Sequence, residues 1–297
     1  MAARQVILFL NRAAGTGARR QHVDAVIQQL EQAGFGVEVI ATIEGLQQRR
    51  VRADEIDCVI SAGGDGTVET VVNSVAPGVP IAVFPLGTEN LLAKYLKIDA
   101  DPSRFVEMVA RRHTVQMDVG RANGKQFLVM LSCGFDAEVV RRVHAARQGN
   151  ITHLAYAKPM VESIWNYNYP NLKVSWQTSS GWENIDCHWA FIFNAPIYAA
   201  GLQIIPHGNP SDGVFEIATF AGGSFWHALR QFGAVALGQH QHHSDYQLNL
   251  GAKIRIESEE PDVPYQIDGD PGGFLPVDIE VLPNRLTLIV DDSRHDG

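Results

Sequence analysis

The chain has 297 residues, enough for two domains at roughly 150 residues each. Apolar residues make up 45% and charged residues 19%, and the net charge is −9. These values exclude a disordered chain, a collagen-like fibre and a coiled coil, and they argue against an electrostatic nucleic-acid binder. Cys58, Cys133 and Cys187 are scattered and form no C-x-x-C pair, so neither a zinc ribbon nor a disulfide framework is expected. No apolar run approaches the roughly 18 residues of a membrane span. The short run Val6–Leu10 has no signal-peptide cleavage pattern behind it, and a reducing cytoplasmic location is expected.

Val6–Leu10 has the length of a strand and ends in a loop from Asn11 to Gly17. Val23, Ile27 and Leu30 then recur at helical spacing, Gly34 ends that helix, and Phe35–Ala41 reads as a second strand. The unit repeats. Cys58–Ser61 is a strand, Ala62-Gly63-Gly64-Asp65-Gly66-Thr67 a loop, and Val68, Val71, Val72 and Val75 a helix. Pro80–Phe84 is the next strand, and Pro85-Leu86-Gly87-Thr88-Glu89-Asn90 opens a helix with Leu91, Leu92 and Tyr95. This alternation predicts an N-terminal doubly wound α/β domain.

Near Val115 the rhythm changes. Val115–Arg121, Gln126–Ser132, Leu172–Trp176, Trp189–Asn194, Val214–Phe220, Lys253–Glu257 and Pro264–Ile267 read as strands, interrupted by helices near Ala137–Ala146 and His153–Tyr167. The expected class is α/β + β, with residues 1–116 and 285–297 as the nucleotide-binding domain and 117–284 as a β-rich domain.

Glycine turns after parallel strands suit phosphate. The backbone approaches the ligand closely, and the next helix offers free N–H groups and a positive dipole end. Gly63-Gly64-Asp65-Gly66-Thr67 supplies three glycines, a carboxylate suited to Mg²⁺ or an ordered water, and a hydroxyl. It is neither a Walker A loop nor a G-x-G-x-x-G fingerprint. A plain strand-to-helix turn is the alternative, and the second turn at Gly87-Thr88-Glu89-Asn90 weighs against it.

Ser61-Ala62-Gly63-Gly64-Asp65-Gly66-Thr67 followed by Pro85-Leu86-Gly87-Thr88-x-Asn90-x-Leu92-Ala93 resembles the diacylglycerol kinase catalytic-domain family, which includes bacterial lipid kinases and sphingosine kinases. NAD kinase and phosphofructokinase share the glycine loop at a distance. Met117-Asp118-Val119-Gly120, Ser132 to Ala137, Ser211 to Phe215 and Gln266 to Pro271 follow in the family's order. The resemblance implies a C-terminal β-sandwich-like domain and a nucleotide lying in the cleft between the two domains.

It also implies roles. Asn11, Thr42, Gly63, Gly64, Asp65, Gly66, Thr67, Val68, Glu69, Gly87, Thr88 and Asn90 would hold ATP, with Mg²⁺ as cofactor. Asp270, in the turn Asp268-Gly269-Asp270, would be the base that deprotonates a lipid hydroxyl, with Asp65 and Asp268 assisting as acids around the metal. Asp212, with the backbone carbonyls of Asn209 and Val214, would form a structural Mg²⁺ or Ca²⁺ site; a simple Asp-Gly hairpin turn is the alternative. Asp118 would support the network around the magnesium, and Lys94 would offset phosphate charge.

The chain departs from the family pattern in three places. Asn11-Arg12 stands for Asn-Pro, Glu89-Asn90-Leu91 for Gly-Asn-Asp, and Asp270 for a glutamate one methylene longer. The function implied is ATP-dependent phosphorylation of a lipid such as diacylglycerol. An NAD kinase-like enzyme and a catalytically silent nucleotide or lipid binder are the rival readings. The partner is a membrane lipid met by transient contact at the inner membrane face, without nucleic acid; a homodimer stays open. Arg141, Arg142, His144 and Arg147 would meet anionic head groups, or form a solvated helix face. Ile164, Trp165, Tyr167 and Tyr169 would line an acyl pocket or pack as core, and His240, His242 and His243 would bind a metal or none.

Overall fold

The computed structural model describes residues 4–10, 17–87, 89–146, 167–198 and 202–291. The predicted helix over His153–Tyr167 lies outside these residues except for Tyr167, as do Arg147, Ile164 and Trp165. Two compact units emerge: Met1–Val119 with Pro283–Gly297, and Gly120–Leu282. The class is the one expected, a mixed α/β sheet with helices and a C-terminal β-sandwich-like part.

In the first unit β1 (Arg4–Leu10) lies parallel between β2 (Phe35–Ile40) and β3 (Cys58–Gly63), and β3 pairs in parallel with β4 (Pro80–Pro85). β1, β3 and β4 carry mostly buried apolar runs because helices cover a parallel sheet on its faces, whereas the edge strand β2 leaves Glu38 and Val39 exposed. Around them lie α1 (Gly17–Gln32), α2 (Ile43–Arg49), α3 (Asp65–Ser74), α4 (Leu91–Tyr95) and α5 (Pro102–Arg111). The core joins Val26 and Leu30 of α1, Ile60, Ala82 and Phe84 of the sheet, and Phe105 and Val109 of α5. Asp101 starts α5 by accepting the Arg104 amide at 2.9 Å, with Pro102 next, where its missing N–H costs nothing.

In the second unit two antiparallel sheets enclose a shared core. One runs β12 (Tyr246–Gly251), β11 (Phe215–Phe220), β10 (Trp189–Phe193), β7 (Met130–Gly134), β14 (Pro264–Ile267) and β15 (Asp270–Phe274). The other includes β9 (Gly181–Cys187), β8 (Leu172–Thr178), β13 (Lys253–Glu257) and the start of β16 (Val277–Ile289). Leu131, Ile192 and Ile217 from the first meet Val174, Ile254 and Ile279 from the second, as in an aligned sandwich. The end of β16 pairs in parallel with β4.

β5 (Thr114–Ala122) and β6 (Lys125–Phe127) form a hairpin, and α6 (Phe135–Ala146) follows β7. The single strand expected over Gln126–Ser132 is broken at Leu128-Val129, because their amides turn to the Asp268 carboxylate instead of a ladder. A helix the sequence reading did not contain, α7 (Phe225–Ala236), follows β11 and is capped by Ser224. Among the described residues no helix is long and apolar enough to cross a membrane.

Candidate functional site

β3 and β4 are paired with Gly63 opposite Pro85, so the turns leaving their carboxyl ends run side by side. The Leu86 amide donates to the Gly63 carbonyl at 2.8 Å. A Cβ on Gly87 would stand 2.7 Å from Gly64 Cα and 2.6 Å from Asn90 Oδ1, closer than any real contact allows. Position 87 therefore requires glycine, while a Cβ on Gly64 would press on Gly87 Cα at 3.3 Å. Asn90, at φ +49°, closes the second turn: Oδ1 accepts the Gly87 amide at 2.9 Å, and Nδ2 donates to the Gly87 carbonyl at 2.8 Å. The Asp65 carboxylate crosses between turns and accepts the amides of Leu91 and Leu92 at 2.9 and 3.2 Å.

Gly63, Gly64, Asp65, Gly66, Thr67, Gly87 and Asn90 are thus brought together. The amides of Asp65 and Gly66, in the first turn of the ten-residue α3, have no acceptor within the helix. Turns bare of side chains, with free amides at the positive end of a helix, fit a polyphosphate.

Other expected residues fall differently. Asp65 braces α4 through its two hydrogen bonds to the Leu91 and Leu92 amides. The side chain of Val68 is 1% exposed and its amide donates to the Gly64 carbonyl, which removes it from the ligand-facing set. Thr42 caps α2 by accepting the Gly45 amide at 3.1 Å, leaving its hydroxyl hydrogen to donate. Lys94 and Glu89 form an exposed ion pair at 2.9 Å. Asp118 is buried and accepts the Asn284 amide at 2.7 Å. Asn11 and Thr88 lie outside the described residues.

In the second unit Asp268 and Gly269 take positive φ values of +48° and +90°. Asp268 accepts the amides of Leu128, Val129 and Met130 at 2.6, 2.9 and 2.8 Å. Three amides on one carboxylate make it an anchor of the turn. Asp270 is the exposed member, its side chain 60% accessible, with Oδ1 at 3.7 Å from His144 Nδ1 on α6. Arg141 and Arg142 are drawn instead to Glu138, whose side chain is 7% exposed.

At the expected cation site the Asp212 amide donates to the Asn209 carbonyl at 3.3 Å, and Asp212 Oδ1 accepts the Val214 amide at 3.1 Å. A residue missed in the sequence lies close: Glu216, buried on β11, is pushed up to about 7 by burial, with Asp212 acting in the same direction. Among the described residues Glu216 Oε2 is buried without a hydrogen-bond partner. An orphaned carboxylate oxygen near a second carboxylate fits an oxygen-ligated cation. Among the described residues no group of three His, Cys, Asp or Glu side chains converges on a metal, so carbonyl oxygens would complete such a site. His240 is buried with Nε2 2.7 Å from the Ile204 carbonyl.

Phe135 gathers an aromatic cluster, with Tyr167, Tyr169, Trp189 and Phe232 at ring-centroid distances of 5.8, 6.0, 5.5 and 5.9 Å. Beside it lies a cavity of about 600 Å³ lined by Glu138, Arg141, Arg142, Tyr167, Glu260 and Phe274.

Two family descriptions match consecutive parts of the chain: the diacylglycerol kinase catalytic domain over residues 5–122, and the YegS C-terminal NAD kinase beta sandwich-like domain over residues 129–290. The diacylglycerol kinase of Staphylococcus carnosus is 24% identical over 289 residues, covering 95% of this chain and 93% of the relative. That of Staphylococcus aureus strain JH9 is 24% identical over 290 residues, covering 93% and 88%. A crystal structure of a diacylglycerol kinase from Bacillus anthracis superposes with a TM-score of 0.71 at 18% identity over 99% of both chains, and a second structure from that organism reaches 0.76 at 20% identity with the same coverage. The two glycine turns, the acidic turn and the sandwich are accounted for together: the chain belongs to the diacylglycerol kinase catalytic-domain family, with a YegS-type C-terminal domain.

Proposed function

We propose that the protein is an ATP-dependent lipid kinase that phosphorylates the hydroxyl of a membrane lipid such as diacylglycerol. The observation that carries the reading is the paired glycine turn, where Gly64 and Gly87 pack backbone to backbone beside the first turn of α3. Amides there would bind and orient the phosphates, and Thr42 and Thr67 would add hydroxyl donors. When bound, Mg²⁺ would neutralise phosphate charge, with Asp65 and Asp118 as the acids proposed to support it.

Asp270 is the proposed base. Its carboxylate takes the proton of the lipid hydroxyl, a bond forms between that oxygen and the γ-phosphorus, the bond from phosphorus to the bridging oxygen breaks, and ADP leaves. An exposed carboxylate can do this from hydrogen-bond distance or through one water. The aromatic cluster around Phe135 supports an acyl-bearing acceptor, since such rings bury large apolar area. Contact with a bilayer would be peripheral.

Radiolabelled ATP incubated with lipid–detergent micelles and NAD tests the reading. Labelled lipid supports it, labelled NADP favours the NAD kinase-like alternative, and no labelled product leaves a silent binder. Asp270→Asn should lower turnover about 10²- to 10⁴-fold, the range of general-base catalysis, while nucleotide binding stays near that of the parent, and full retention of phosphorylation would remove Asp270 from the role.

A further inference from the structure

The acidic turn rests on buried side chains outside the turn itself. Gln266, 2% exposed on β14, faces both ways. Its Oε1 accepts the amide of Gly269 at 2.8 Å, and its Nε2 donates to Ser132 Oγ at 2.9 Å and to Asp136 Oδ2 at 3.3 Å. Asp136, 8% exposed in the first turn of α6, accepts further hydrogen bonds from the Ser132 and Tyr198 hydroxyls. The chain of contacts runs Tyr198, Asp136, Gln266, Gly269, and the next residue is Asp270. The same helix carries His144, whose ring approaches the Asp270 carboxylate.

Gly269 sits at φ +90°, a conformation with weak intrinsic preference in the chain, so the direction taken by residue 270 depends on what holds the Gly269 amide. Gln266 is the side chain that holds it. An amide side chain also has fixed ends: its donor must find acceptors for its acceptor to stay turned toward Gly269, and Ser132 with Asp136 supply them. A buried network of this kind is rigid only when every member is satisfied.

We propose that Gln266, oriented by Asp136 and Tyr198, is a positioning residue that aims Asp270 at the acceptor hydroxyl. This rests on the kinase reading above. The expected effect is on chemistry and not on nucleotide affinity, because none of these side chains belongs to the glycine turns.

A double-mutant cycle tests it, with ATP and dioleoylglycerol in detergent micelles as substrates. Gln266→Met should lower kcat about 10- to 100-fold, the scale of a misplacement near 1 Å, with KM for ATP unchanged. In an Asp270→Asn background the same change should cost nothing further, because Gln266 acts through Asp270. Tyr198→Phe should lower kcat several-fold and carries the same cycle if the Met variant does not fold. A parental kcat in the Tyr198 variant, or an equal fold-loss from Gln266→Met with and without Asp270, overturns the inference. Full activity of Asp270→Asn alone instead overturns the assignment of the base.

Discussion

The turns that carry the family motifs are held by different means. The glycine turns of the first unit pack backbone against backbone, with Gly64 touching Gly87, while Asn90 closes its own turn and the Asp65 carboxylate crosses to the Leu91 and Leu92 amides. The Asp268-Gly269-Asp270 turn of the second unit is held by side chains reaching across strands, Asp268 to the amides of 128–130 and Gln266 to Gly269. The first design tolerates no added atom at Gly87. The second leaves residue 270 free of holding duty, since its side chain makes none of the hydrogen bonds that fix the turn. An aspartate where the family carries a glutamate therefore alters reach without altering the turn.

The sharpest way to break the second design is Asp268→Ala. It strands three amides that now meet a carboxylate, and charge-assisted bonds of this kind contribute about 1.5–3 kcal/mol each before relaxation and water recover part. A loss of about 3 kcal/mol or more is expected by denaturant unfolding, with Asp268→Asn recovering a share. A cost below about 1 kcal/mol would show that the anchor carries little. The first design is probed by Gly87→Ala, whose Cβ must push aside Gly64 Cα and Asn90 Oδ1. Overpacking of this kind costs about 1–3 kcal/mol. Because the turns themselves shift, ATP binding measured by calorimetry should weaken at least tenfold. Asp65→Ala comes next: two amides at the start of a five-residue helix lose their cap, at about 1 kcal/mol.

What was legible follows the same division. The first turn is local: glycines, an acid and a threonine within seven residues, flanked by apolar strands that read clearly because both faces are covered. The network behind the second turn joins Ser132 and Asp136 to Gln266 across more than a hundred residues, and nothing in sequence spacing links them. Gln266 reads as one polar residue in a strand until β14 is paired with β7. Glu216 did leave a signal, an acid inside the apolar run Phe215–Phe220, which a burial argument could have used. Helix α7 escaped because Trp226, Leu229 and Phe232 are 68%, 55% and 38% exposed, so its apolar residues do not mark a single buried face. β15 escaped because Asp270-Pro271-Gly272-Gly273-Phe274 has turn composition, tolerated on an edge strand.

The smallest expected effects separate two carboxylates on one helix. Burial raises Asp136 above the ordinary 3.8, against the pull of its hydrogen bonds from Ser132, Tyr198 and Gln266. Burial also pushes Glu138 upward, but the Arg141 and Arg142 guanidinium groups outweigh it and hold Glu138 below 4.5. The signs differ accordingly. Between 3.8 and its raised native value Asp136 keeps a proton that the unfolded chain has released, so its contribution makes stability fall as pH rises through that window. Glu138 contributes stability that is present above 4.5 and lost as pH drops through its depressed native value. In thermal unfolding scans across pH, Asp136→Asn should remove the decline on the upper side and Glu138→Gln the acid-side loss. Unchanged slopes in both variants would mean that neither carboxyl governs the acid limb, and that the network under the turn is electrostatically silent.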